Sequence, residues 1–336
     1  MKEILSFIDK IRGIDVPKCD KAGCRAYEIN EVNFHEFDEF SPKNRVYAVD
    51  GGSAIVLDGG SWIISKIKIG CIGFEGDRKI FETVKDFSMG AMIKGNKIYP
   101  KLTPSFADVE QIEVPVSKID ELPNIFRSVL EWKCVEELIK IGRSGDIVLV
   151  DSSLVAASKP QFDLINRLGK MAVEKGIVIM GVSKTSRLRT NNGRPILGYL
   201  NELGSKATKS RWYYSPIFYR GQTTNREFGE TYVVKFHNRC EFCYRVDLEK
   251  EFSLDLDPKR LQELFGTVAY YSRDPELLGY PYPLLKVDKI ARVRDDEKNK
   301  ENRDIKLLAR DLGIEFVEFD EKSTSMHDLL DKRAYR

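Results

Sequence analysis

Arg45-Val46-Tyr47-Ala48-Val49-Asp50-Gly51-Gly52-Ser53 and Ile147-Val148-Leu149-Val150-Asp151-Ser152-Ser153-Leu154 decide how this chain is read. Each is a short apolar run that delivers an aspartate into small residues. Unbroken Val, Ile and Leu mark a buried strand. An acid at the end of such a strand falls at the sheet edge where α/β proteins gather ligands. Gly or Ser beyond it leaves space for a bulky group to approach the carboxylate. Taken singly, an Asp before Gly reads as a turn former bonded to its own backbone. Two in one chain predict paired carboxylates facing one site, which is the arrangement of divalent-metal and phosphate chemistry.

The segments around these strands predict the fold. After the first strand, Asp58-Gly59-Gly60 signals a turn, and further strands are expected near 62–73 and 78–87, giving a meander. Residues 88–115, with Pro100, Pro104 and Pro115, read as an irregular insertion. A long helix over 119–142, a strand at 146–151, a helix over 160–175 and a strand at 176–182 follow. This order predicts an α/β, ribonuclease H-like mixed sheet flanked by helices, with insertions and a C-terminal helical part. Strands near 230–237 and 242–248, a helix from Pro258, helices near Leu284 and Asn299 and a short strand at 314–319 complete the reading. The expected organisation is an N-terminal helix and irregular segment (1–44), the main domain (45–295) and a C-terminal helix and tail (296–336).

Composition sets the bounds. The 336 residues are 42% hydrophobic and 32% charged, with a formal net charge of +2, as in an ordinary globule. Acids interrupt the opening residues where a signal peptide needs an apolar stretch, and no apolar run reaches bilayer length, so a cytoplasmic, non-membrane protein is expected. Cys71 and Cys134 lie in apolar patterns and read as buried hydrophobes. Cys19, Cys24, Cys240 and Cys243 have spacings zinc accepts, but the pairs lie far apart and lack the Gly and Pro of knuckles, so structural zinc is not expected. His35, His237 and His327 pair with no Ser or Cys nucleophile, which disfavours a triad hydrolase. Without a Gly-rich Lys-Ser or Lys-Thr loop, no ATP site is expected; any motor belongs to another chain.

The helix after the meander supplies further acids. Glu131 and Glu136 fall on its apolar side while Glu137 points away, and a carboxylate among apolar groups is costly unless paired or bound to metal. Glu131 is the preferred candidate, with Glu136 as the alternative. Late in the chain, Pro281 and Pro283 suit a helix entry, and Asp288 lies in line with Leu284, Leu285 and Ala291. Asp50, Glu131, Asp151 and Asp288 stand at the places that such a fold brings together. Two manganese or magnesium ions per site are expected, since oxygen-only ligation favours them over zinc. Asp50 would bridge both ions, Asp151 and Asp288 would each hold one, and Glu131 would hold an ion or orient the water.

Residues 184–228 carry Lys184, Arg187, Lys206, Lys209 and Arg211 interleaved with aromatic residues that include Trp212 and Tyr213. Basic groups contact phosphate and aromatic faces stack on bases without reading sequence, so this insertion is expected to bind DNA. Lys184, just past a core strand, is the expected phosphate contact nearest the metals.

Val49-Asp50-Gly51-Gly52-Ser53, Leu149-Val150-Asp151-Ser152-Ser153-Leu154, Val182-Ser183-Lys184-Thr185-Ser186-Arg187-Leu188 and Gly279-Tyr280-Pro281-Tyr282-Pro283-Leu284 together resemble the NurA nucleases over about residues 45–295. The resemblance implies a ribonuclease H-like fold and manganese-dependent cleavage of DNA, with 5′ to 3′ exonuclease and single-strand endonuclease activity. It implies a homodimer that works with a hexameric HerA-type translocase in DNA end resection and repair. Asp50, Glu131 and Asp151 match the family's metal carboxylates and Tyr280 its active-site tyrosine. Asp288 stands where the family typically has histidine, which would change metal preference and pH profile. Two other readings share this core: a catalytically weak DNA-end-binding or scaffold subunit, and an RNA-directed nuclease.

Overall fold

The computed structural model describes residues 1–12, 26–156, 159–190, 193–220, 229–254 and 256–314. Its strands are β1 (Ala26–Glu28), β2 (Phe34–Phe37), β3 (Arg45–Asp58), β4 (Trp62–Glu75), β5 (Arg78–Lys94), β6 (Lys97–Thr103), β7 (Ile147–Val150), β8 (Val178–Ser183), β9 (Arg189–Thr190), β10 (Arg211–Tyr214), β11 (Phe218–Arg220), β12 (Gly229–Lys235) and β13 (Tyr244–Glu249). Its helices are α1 (Lys2–Arg12), α2 (Ala107–Glu110), α3 (Leu122–Ile141), α4 (Lys159–Lys175), α5 (Ile196–Ala207), α6 (Lys250–Leu254), α7 (Pro258–Tyr270), α8 (Tyr282–Ala291) and α9 (Asp295–Asp311). The strand expected at 314–319 lies almost wholly outside the described residues.

The chain divides into two compact units, one of residues 1–48, 72–81 and 138–286, the other of residues 49–71, 82–137 and 287–336. In the first, the strands run in the order β2-β10-β12-β13-β8-β7, followed by the opening residues of β3. β7 and β8 are parallel and joined through α4, as a βαβ unit requires, while β13 lies antiparallel to β8. All of β7 and β8 is buried, which explains their unbroken apolar sequences. β1, β9 and β11 form a separate three-stranded sheet.

Helices cover both faces of this unit's larger sheet. Successive side chains of a strand point to opposite faces. Trp212 and Tyr214 of β10 therefore pack with Ile196 and Leu200 of α5. Tyr213 meets Phe265 of α7, whose ring also touches Phe37, Tyr232 and Phe236. Asp257 caps α7 by accepting from the Arg260 amide at 2.7 Å.

The second unit holds most of β3 and β4, with β5 and β6 beyond them. The turn at Asp58-Gly59-Gly60 is present: Asp58 accepts from the Gly60 amide at 2.8 Å, and Gly60 takes φ 78°. α9 packs on this hairpin through Ala309 and Ile305 against Val56, Leu57 and Trp62. Lys68 to Glu297 at 3.1 Å and Lys66 to Glu301 at 3.0 Å add ion pairs between α9 and β4.

Three expectations need correction. β3 does not stop at Asp50; it runs on through Gly51 and Gly52 to Asp58, because neither glycine takes a positive φ and both continue the extended backbone. Residues 88–103 are not irregular: β5 and β6 form a long hairpin around Gly95 at φ 60°. The burial of Phe87, Met89 and Ala91 keeps strand alternation, and Pro100 is tolerated because β6 is last in the strand order, where a missing N–H breaks no second ladder. Cys71 of β4 and Cys134 of α3, both buried, are joined as a disulfide rather than left as separate hydrophobes.

Candidate active site

Two glycines explain how helices reach the β3 aspartate. A Cβ on Gly51 would lie 2.6 Å from Glu131 Oε1 and 2.7 Å from Arg127 Cγ, so α3 lies directly against the strand there. A Cβ on Gly52 would collide with the carbonyl oxygen of Ala291 in α8, and one on Gly70 would meet Val287 Cγ2 at 2.9 Å. The Asp-Gly-Gly sequence is thus a place of close approach and not a turn.

Within the second unit, Asp50 is buried and accepts from the Gly51 amide at 2.7 Å. Carboxylate oxygens of Asp50 and Asp288 lie within 4.8 Å of each other. Asp288, half-buried on α8, is also paired with Arg292 at 2.9 Å. Glu131 is buried and pairs with Arg127 at 3.3 Å; Arg127 also donates to the Gly51 carbonyl at 2.7 Å. Glu136 is half-buried and Glu137 exposed. The sequence pattern did not single out Arg127 or Arg292, which lie i−4 to Glu131 and i+4 to Asp288, the spacing at which helical ion pairs form.

Within the first unit, Asp151 follows β7, and Lys184, one residue past β8, donates to its Oδ2 at 2.6 Å. The same ammonium lies 5.0 Å from the ring centre of buried Tyr280, which packs on Tyr244 at 5.4 Å. Lys184 keeps 43% of its side chain exposed, so one side of it faces solvent.

The remaining basic and aromatic candidates divide into two groups. Trp212 and Tyr213 are correctly placed in sequence for stacking on bases, but the structure contradicts that role: both are buried in the sheet core. The alternation of β10 sends one ring to each face, and a Cβ on Gly204 would lie 2.5 Å from the Trp212 ring. Arg211 is paired with Glu39 at 2.8 Å and donates to the Phe236 carbonyl, so it serves the sheet. Lys206 pairs with Glu202 at 3.1 Å. Arg187 and Lys209 are exposed.

Of the cysteines weighed for zinc, Cys19 and Cys24 lie outside the described residues. Cys240 and Cys243 are buried, and burial pushes the Cys243 thiol up to about 12 while it donates to the Leu197 carbonyl. No helix among the described residues is long and apolar enough to cross a membrane.

A strand meander, a parallel β7-α4-β8 crossover and a late helix bearing an acid define a ribonuclease H-like α/β protein. The model of the NurA domain matches residues 44–293, and the chain belongs to the NurA family. Its fold is similar to the crystal structure of the NurA nuclease from Sulfolobus solfataricus, with 16% sequence identity, 93% of this chain and 94% of that chain covered, and a TM-score of 0.56. The catalytic domain of human Endonuclease V is matched at 13% identity over 93% of this chain and 99% of that one, with a TM-score of 0.39. No curated protein sequence matches the chain.

Proposed function

We propose that this chain is a metal-dependent DNA nuclease whose cation is held by Asp50, Asp151 and Asp288. The observation that carries the reading is that carboxylate oxygens of Asp50 on β3 and Asp288 on α8, both in the second unit, lie within 4.8 Å of each other; Asp151, at the end of β7, is assigned as the third ligand. Acids brought that close repel one another, and they persist where cations offset them. Lys184 and Arg292 offset two of the three charges. The donor set is all oxygen, which suits manganese or magnesium better than zinc. A divalent cation there supplies Lewis-acid stabilisation of a scissile phosphate and lowers the pKa of a bound water.

The chain's own residues then have separate tasks. Asp50, Asp151 and Asp288 are the ligands. Arg127, ion-paired with Glu131 and donating to the Gly51 carbonyl, ties α3 to β3 beside Asp50. Glu131, buried on α3 against Gly51, would orient a water or a ligand. Lys184 is the phosphate contact: its ammonium already rests on a carboxylate oxygen, and the Tyr280 ring fixes its position by a cation–π contact. Arg187 and Lys209 extend the positive surface toward the DNA backbone.

Membership of the NurA family supports the finer assignment. This is 5′ to 3′ exonuclease and single-strand endonuclease activity, a homodimer, and work with a hexameric HerA-type translocase in resection of double-strand breaks. Asp288 in the place of histidine favours a second reading, a catalytically weak DNA-end-binding subunit, and the position of Asp288 beside Asp50 weighs against it. The test is cleavage of 5′-labelled single-stranded DNA and RNA with manganese, with magnesium and with EDTA. DNA cleavage that EDTA abolishes is expected. Asp50→Asn and Asp151→Asn should keep DNA binding and lose turnover about a thousandfold, since such a cation contributes several kcal/mol. Near-normal cleavage by both variants would end the proposal, and cleavage of RNA alone would redirect it.

A further inference from the structure

Asp247 is a buried carboxylate with no part in the chemistry above. It lies within β13, 1% exposed, and its partners all belong to the first unit. Arg245 Nε donates to Oδ1 at 2.8 Å and Thr231 Oγ1 donates to Oδ1 at 2.9 Å. Arg245, itself buried, reaches Thr231 Oγ1 at 3.3 Å. The other oxygen, Oδ2, accepts the backbone N–H of Leu154 at 2.9 Å.

A buried ion pair is weak evidence for stability, because well-packed apolar side chains often replace one at no cost. What apolar replacements could not supply is the acceptor for Leu154. That amide lies three residues beyond Asp151, in a segment that is neither strand nor helix at Ser152–Leu154. The segment has a second restraint: a Cβ on Gly181 would lie 2.5 Å from the Ser152 carbonyl oxygen, so β8 leaves just enough room for it. Leu154 is buried, and its side chain lies against the same glycine.

We propose that Asp247 is a positioning residue for the metal site. Its bond to Leu154 N–H fixes the course of residues 151–154, so that Asp151 presents its carboxylate in one place, and Arg245 and Thr231 hold the Asp247 carboxylate in the orientation that this requires. The inference rests on the reading of Asp151 as a ligand. Groups that orient ligands change metal affinity by about 10- to 100-fold when they are lost.

The test compares the full chain with Arg245→Met/Asp247→Leu and with Thr231→Val. The first removes the acceptor without stranding a buried charge. The second leaves the pair and the Leu154 bond in place but deletes one donor. Thermal unfolding, manganese affinity by calorimetry, hydrogen exchange at the Leu154 amide, and kcat and KM on single-stranded DNA are measured for each. Expected for the double variant are a Tm near the parent's, faster exchange at Leu154, manganese binding weakened about 10- to 100-fold, an unchanged KM for DNA, and kcat recovered at high manganese. Thr231→Val should move the same readouts less, and it keeps the question answerable if the double variant does not fold. A folded variant with parental manganese affinity would overturn the proposal, as would unchanged Leu154 protection. Asp151→Asn separates the two layers. If it also binds manganese like the parent, the ligand assignment itself fails; if it alone loses affinity, only the role of Asp247 does.

Discussion

Gly52→Ala is the smallest change that should separate the helix-borne acid from the strand-borne one. A methyl at this position overlaps the carbonyl oxygen of Ala291 and would sit 3.1 Å from Ala291 C and 3.2 Å from Arg292 Cα. All three are backbone atoms of α8 and its end, so no side chain can swing aside. The helix must retreat by about 1 Å, a displacement that at a reacting centre costs roughly a hundredfold in rate. Ala291 is one turn from Asp288, and the Arg292 amide is bonded to the Asp288 carbonyl at 3.1 Å, so the retreat carries Asp288 away from Asp50. Overpacking costs about 1–3 kcal/mol. The gain from replacing Gly by Ala in extended backbone, about 0.5–1 kcal/mol, offsets part of this. The expectation is a folded protein with a modestly lower Tm, turnover down about a hundredfold and weaker manganese binding. Gly90→Ala is the control, since a Cβ there meets nothing within 4 Å, and it should change neither readout. A Gly52→Ala protein with parental turnover and parental manganese affinity would refute the close-approach argument.

Other outcomes follow from the same physics. Trp212→Ala should lower stability by about 3–5 kcal/mol in denaturant titration, as loss of a large core ring does. At temperatures where it stays folded it should bind single-stranded DNA as the parent does, whereas a specific loss of DNA affinity would restore the stacking role. Burial opposes ionisation of Glu297, but the Lys68 ammonium, the Arg294 amide and nearby Lys66 outweigh it and hold its carboxyl below the usual carboxylate range. A depressed folded pKa contributes stability above the unfolded value near 4.5, and that contribution fades as pH falls through the folded value. Glu297→Gln should therefore lower the Tm at pH 7 by an amount worth about 0.5–1 kcal/mol, and the gap should close in acid. An equal gap at both pH values would show that packing, not charge, is responsible.

The chain announced its buried strands well and its exposed ones poorly. β7 and β8 are buried on both faces, so their apolar runs admit one reading. Among the described residues β2 pairs only with β10, at the end of the strand order, and its four residues are too short to show a period. β10 misleads for a different reason. Its Arg-Trp-Tyr-Tyr reads as a basic aromatic surface, and only packing against α5 and α7 turns the rings inward. Asp50 is legible as an acid beside small residues at the end of an apolar run, but the continuation of β3 through Gly51 and Gly52 is not, because a sequence does not show which helices come close. Arg245 and Asp247 are opposite charges two apart in an apolar strand, a spacing that puts them on one face where they pair. That signal was legible.

The most direct measurement is a crystal structure of the full chain grown with manganese, with data collected at the metal's absorption edge. The account predicts an anomalous peak bonded to oxygens of Asp50, Asp151 and Asp288, and its loss in Asp151→Asn. Saturating manganese with no peak at these three side chains, or a peak held by other residues, would contradict it.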